Sequence, residues 1–173
     1  MAKVFIEENG LYCIDCSQAK WATDQVHHEY HSAGVHLSDV DFLIEDLDSL
    51  LMVEYKNANI KGAAKPDAYD PNQEKNYTKL VKKFYDSLHY LNLLHKVRPV
   101  QYICVIEYPT SDLVTRRRLR NRLKKDLPFQ LQENIGKGRK LIEAVDVVSI
   151  EEWNRNQIYG KYPISLVKNE SKY

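Results

Sequence analysis

An α/β domain with a mixed central β-sheet flanked by helices is the fold this sequence predicts, on three observations. The stretch VDFLIEDLDSLLMVEYKN, residues 40–57, sets apolar runs on either side of Asp46, Leu47, Asp48 and Ser49, the pattern of two strands joined by a tight turn. In residues 74–95, Tyr77, Leu80, Val81, Phe84, Leu88 and Leu91 recur at helical spacing and write a long amphipathic helix. Residues 100–108 form an apolar run, interrupted only by Gln101 and Glu107 and closed by Pro109, as expected of a strand buried on both faces. Strand, helix and buried strand in that order predict a parallel pair joined by a right-handed crossover.

The other elements follow in chain order. Residues 3–7 and 11–16 read as short strands around Asn9-Gly10, a dipeptide that favours a primed hairpin turn. Ser17 is placed to cap a helix running to about Tyr30 and carrying Trp21 and Val26. The acidic hairpin comes next, and then residues 58–72, polar and holding Gly62, Pro66 and Pro71, read as a loop. After the buried strand, Ser111 is expected to cap a helix to about Leu127, stopped by Pro128. Residues 144–150 predict a last strand, and residues 151–173 carry no pattern that assigns an element.

Composition sets bounds on function. A chain of 173 residues is expected to form one domain with its own core. Its net charge of +1 requires any nucleic-acid binding to come from a local patch. There is no apolar run of about 18 residues, and the start MAKVFIEENG lacks a signal-peptide core, so no membrane partner is expected. Three cysteines, an odd number, argue against a disulfide framework and for a reduced, cytoplasmic setting.

The hairpin carries the chemistry. A turn centred between Leu47 and Asp48 sets Glu45 against Leu50, Leu43 against Met52 and Asp41 against Glu54. Facing residues project to one side of a sheet, with Cβ atoms roughly 4.5 to 5.5 Å apart. Alternation puts Lys56 on that side too and turns Tyr55 away. Two neighbouring carboxylates repel, and one takes up a proton unless a cation sits between them. Mg2+ (or Mn2+) answers that need with oxygen ligands, and it leaves positions for water and a phosphate. Lys56 adds a compact cation beside them.

Asp41 followed by Glu54-Tyr55-Lys56 resembles the signature of the PD-(D/E)xK nuclease superfamily, an acid on one strand and Glu-x-Lys on the next. The resemblance in element order covers residues 17–150. It implies a restriction-endonuclease-like fold and a metal-dependent nuclease that hydrolyses nucleic-acid phosphodiester bonds, more DNA than RNA. By the same resemblance Asp41 and Glu54 would hold the metal with the Tyr55 carbonyl, and Lys56 would position the attacking water. Val40 stands where the family has proline, and Asp39 lies on the Asp41 side and competes for its role. Many members add an acid from the first helix, for which Asp24 and Glu29 are candidates. Gln73 and Tyr77 resemble a Gln-x-x-x-Tyr motif of one exonuclease-like branch, although Tyr77 also fits the core stripe of its helix.

A basic helix and a competing metal site complete the candidates. In TRRRLRNRLKK, Arg116, Arg117, Arg118, Arg120, Arg122, Lys124 and Lys125 surround Leu119 and Leu123. Arg116, Arg117, Arg120 and Lys124 are the nucleic-acid-binding candidates, set against a merely solvated helix face. Cys13, Cys16, His27 and His31 approach the spacing of a structural zinc site, which defines an alternative zinc-binding protein. A second alternative is a catalytically silent nuclease-fold module that binds nucleic acid or serves assembly. Whether two subunits pair as a homodimer stays open.

Overall fold

The structure is a computed structural model that describes residues 3–59 and 69–168. The first hairpin forms as predicted: β1 (Val4–Ile6) pairs antiparallel with β2 (Tyr12–Asp15), Phe5 against Ile14. Gly10 in its turn takes φ 73°, a conformation open to glycine without strain.

The predicted helix from Ser17 does not form there. The Ser17 amide donates instead to the Asp15 carboxylate at 2.9 Å, closing a turn. Trp21, Ala22 and Thr23 then make a short strand, β3 (Trp21–Thr23), and only α1 (Val26–Ser32) is helical. An aromatic and a β-branched residue beside an open strand edge favour pairing over a first helical turn. Here the edge is that of β4 (Phe42–Glu45), with Trp21 against Glu45.

The acidic hairpin has the expected register. β4 pairs antiparallel with β5 (Leu50–Asn57), setting Glu45 against Leu50, Leu43 against Met52 and Phe42 against Val53. Part of the connection predicted over residues 58–72 falls on residues 60–68, outside the described residues. Helix α2 (Glu74–Leu93) then leads to β6 (Val100–Glu107), parallel to β5 with Glu54 against Cys104. Both β5 and β6 are buried along nearly their whole length, as a central strand covered on two faces must be.

α3 (Leu113–Asp126) starts one residue later than a Ser111 cap would place it. Asp112 is the cap, accepting from the Thr115 amide in a reciprocal capping box, while Ser111 accepts from Arg116. Pro128 ends α3, but the chain continues into α4 (Phe129–Ile135) before β7 (Ile142–Val148), which runs parallel to β6.

Beyond β7 the unassigned C-terminal stretch is structured. Ser149 and Glu152 form a capping box at the start of α5 (Ile150–Arg155), and β8 (Ile164–Leu166) adds to β2. The strand predicted over residues 144–150 therefore starts and stops two residues earlier and is not the last one.

Among the described residues the result is a mixed sheet in the order β3-β4-β5-β6-β7, and a small antiparallel sheet in the order β1-β2-β8. Alternation splits the core between the two faces. Leu43, Met52, Tyr102 and Val145 face α1, α2 and α3. Ile44, Val53, Ile103 and Val148 face the small sheet and Trp153 of α5. Each such fully buried aliphatic side chain contributes on the order of 1.5–3 kcal/mol. No helix among the described residues is long and apolar enough to cross a membrane.

Candidate functional site

The register of β4 and β5 sets Asp41, one residue before β4, opposite Glu54, on the face that packs against α2. Asp41 is tied in by its own side chain. Its Oδ2 accepts from the Tyr55 amide at 2.7 Å, which continues the ladder where the β4 backbone ends. The Asp46 amide donates to the Ser49 carbonyl at the turn. Odd-numbered residues of β5 therefore aim their backbone groups at β4, and since the N–H and C=O of one strand residue share an edge, the Tyr55 carbonyl lies on the Asp41 edge as well.

Glu54 is the buried member, 5% exposed. Its carboxyl is pushed well above the ordinary range, first by burial and then by the Asp41 charge, against the pull of Lys83. Asp41, partly buried, is pushed up by burial as well, with Lys83 and the Tyr55 amide pulling the other way. The sequence reading missed Lys83. Its ammonium, carried on α2, lies 2.7 Å from each oxygen of Glu54. Desolvation works against its charge, but Glu54 and Asp41 outweigh that and hold its pKa above the usual lysine value.

A signal for Lys83 was present in the chain. It sits on the buried stripe of α2 formed by Leu80, Phe84, Ser87 and Leu91, three residues after Leu80. A lysine on such a stripe needs an acid below it. The same helix fixes the approach to β4: Ser87 Oγ accepts from the Val40 amide at 3.0 Å, and the Asp86 carboxylate accepts from the Ser38 amide at 2.7 Å.

Lys56 lies on the same face by alternation but is exposed. Its ammonium sits 5.6 Å from the centroid of the Tyr69 ring, which packs edge-on against Tyr108. Asp41, Lys56 and Asp24 line a small cavity of about 160 Å3 under the β1–β2 turn, together with Glu7 and Glu8; Glu54 is not in its wall. Asp24, and not Glu29, is thus the further acid beside Asp41. The Glu29 carboxylate accepts from the Tyr90 hydroxyl at 2.8 Å, between α1 and α2. Asp39 pairs with His27 at 3.1 Å.

The remaining candidates have other partners. Gln73 is the N-cap residue of α2, and Tyr77 is buried with its hydroxyl on Asp126 and the Arg122 carbonyl, so Tyr77 belongs to the core. Arg116 holds Glu152 with two bonds of 2.9 and 3.1 Å and is half-buried between α3 and α5. Arg117, Arg118, Lys124 and Lys125 are exposed along α3 and Arg120 is half-buried. Arg122 lies over the Tyr77 ring and binds Glu74.

The zinc set is not brought together. Cys16 is buried on the small-sheet side of the main sheet, its thiol pushed up to about 12 by burial. α1, with His27 and His31, packs on the other face. Cys13 instead meets Ser165 at 3.7 Å. Among the described residues no group of three or more His, Cys, Asp or Glu side chains is disposed to hold a metal ion. The chain matches no protein-family model, no curated protein and no solved structure. What fold and site define is therefore a class: a mixed α/β sheet protein with two carboxylates and a half-buried lysine clustered where β4 begins and β5 nears its end.

Proposed function

We propose that this chain is a metal-dependent hydrolase of nucleic-acid phosphodiester bonds of the PD-(D/E)xK kind, with DNA as the favoured substrate. The observation that carries the reading is the facing of Asp41 and Glu54 across β4 and β5, with Lys56 the next residue on that side. Two carboxylates that burial drives toward protonation are a donor set short of positive charge. Their chemistry fits Mg2+ or Mn2+, held by Asp41 and Glu54 with the Tyr55 carbonyl. Such an ion supplies charge stabilisation to the phosphoryl oxygens.

The chain's own residues do the rest. Asp41 borders the cavity and faces the substrate side. Glu54 is held in one orientation by Lys83; a carboxylate has about four acceptor directions, so two bonds to Lys83 leave others for a cation. Lys56, exposed and cationic, orients the water and the scissile phosphate. The exposed cations of α3 contribute non-specific attraction to the phosphate backbone.

Assays on duplex, single-stranded and branched DNA with Mg2+ and Mn2+ test this. Glu54→Gln and Lys56→Ala are each expected to lower cleavage at least a hundredfold while the protein stays folded. Cleavage by both variants at the wild-type rate would refute the assignment.

One observation favours a second reading. Lys83 already sets an ammonium against both Glu54 oxygens, a counter-charge that needs no metal ion. A silent module that binds nucleic acid would then keep its affinity in EDTA and show no rise in Tm with divalent cations. An ion that binds only the folded state must raise Tm.

A further inference from the structure

Away from the acid pair, at the opposite end of the parallel strands, the C-terminal half of α2, the turn before β6 and α4 enclose an open groove of about 670 Å3. Its wall is unusual in two ways. Val97, Leu131 and Ile135 are 64%, 52% and 68% exposed, and they lie together beside Leu88. No Asp or Glu lines it, whereas His89, Lys96, Arg98, Arg139 and Lys140 do.

The exposure is built in. α4 is locked to the start of β7 by the buried amide of Gln132, which accepts from the Leu141 and Ile142 amides at 2.9 and 3.1 Å and donates to the Ile142 carbonyl at 2.9 Å. With Gln132 turned inward, Leu131 and Ile135, one helical turn apart, are held at the groove. Two of the cations serve the fold: Lys96 binds Glu45, and Arg98 donates to the Asp46 and Leu47 carbonyls. Arg139 and Lys140 are exposed, and among the described residues neither forms an ion pair.

We propose that this groove docks an amphipathic helical segment of a partner protein, one with apolar side chains at i, i+3, i+4 and i+7 and carboxylates flanking them. Apolar anchors drop between α2 and α4 onto Val97, Leu131 and Ile135, and the flanking carboxylates meet Arg139 and Lys140 at the rim. The volume lies within the roughly 300–1,000 Å3 of ligand-sized clefts, enough for two or three anchor side chains. Charge selects an acidic partner over a basic one, and the aliphatic floor selects a peptide over a phosphate backbone. The inference is independent of what Asp41 and Glu54 do.

Fluorescence anisotropy with a labelled helical peptide of about sixteen residues, leucine at the anchor positions and glutamate elsewhere, tests it on the full chain. Binding in the micromolar range is expected, with Kd raised at least tenfold by Ile135→Asp and by Arg139→Glu with Lys140→Glu. These residues are exposed, and an unchanged Tm verifies that the variants fold. The same peptide with lysine for glutamate is expected not to bind. The proposal is overturned by an absence of binding at 100 μM probe, by equal binding of the lysine peptide, or by variants that bind like wild type. It is overturned equally if oligothymidylate occupies the groove without sensitivity to Ile135→Asp, or if the chain self-associates through it.

Discussion

Replacing Lys83 by methionine removes the cation from a buried carboxylate and keeps the length of the side chain. Both Glu54 oxygens, each 2.7 Å from the ammonium, lose their partner in a site where Glu54 is 5% exposed. Breaking a buried pair from one side costs about 3–5 kcal/mol. The Lys83 side chain keeps 26% of its exposure, so water reaches this site and the lower end, about 3 kcal/mol, is expected. For a chain of this size that lowers Tm by about 6–12 °C. The sign of the pH dependence follows from the carboxyl shifts. Glu54 and Asp41 are both raised by burial, so their contribution is whole below the unfolded carboxyl pKa of about 4 and declines as pH rises through the folded values. Losing Lys83 raises them further. The deficit of Lys83→Met is therefore smaller at pH 4 than at pH 7, read by urea denaturation at each pH. Adding Glu54→Gln recovers much of the loss, because the neutral amide needs no counter-ion. A Lys83→Met protein within about 0.5 kcal/mol of wild type at pH 7 would refute the ion-pair reasoning.

Other expectations concern the supports around the site. Trp153→Ala empties the second core, where the indole is fully buried and donates to the Tyr162 carbonyl at 2.7 Å, and is expected to cost about 3–5 kcal/mol by denaturant titration. Ser149→Ala removes the cap of α5 and should cost about 1 kcal/mol, with no change expected in divalent-cation binding. Burial pulls the Glu152 carboxyl up, but Arg116 and the Ser149 amide hold it lower still than usual, so its stabilisation is present above about pH 4 and lost as pH falls. The penalty of Arg116→Met should accordingly be larger at pH 7 than at pH 3. Incubation with a zinc chelator should leave Tm unchanged, because Cys13 and Cys16 lie across the sheet from His27 and His31; a fall of several degrees would restore the zinc site.

The acidic hairpin was legible because its constraint is short-range. Period-two alternation and a four-residue polar turn leave one register that buries Leu43 and Met52 on the same face, and Asp41 opposite Glu54 follows from it. α2 and β6 were legible for the same reason, with a long periodic run in one case and a run apolar from Tyr102 to Ile106 in the other. β3 was not, because three residues hold no period, and Trp21 pairs only when the edge of β4 is already in place. The C-terminal stretch hid its structure in scattered aromatics: Trp153, Tyr159 and Tyr162 are buried by the far face of the sheet and not by any pattern of their own. Lys83 belongs between these cases. Its place on the stripe of α2 could be read from the chain, but its partner could not, since that depends on where α2 crosses β5.

That crossing bears on how the two carboxylates are to be understood. With Asp41 and Glu54 alone, a buried pair of like charges would leave a metal ion as the one way to keep both ionised. Lys83 changes the balance to three groups with one cation among them, short of neutrality by one charge when both acids are ionised. A proton on the pair or an incoming cation supplies that charge equally well. A catalytic site takes the cation, and its Tm rises with Mg2+ at pH 7 while the rise fades toward pH 4 as protons fill the same deficit. A silent site keeps the proton, and its Tm is indifferent to Mg2+ at either pH. Titrating Mg2+ against Tm at the two pH values therefore decides between the readings before any substrate is chosen, and a Mg2+ effect that strengthened toward pH 4 would contradict both.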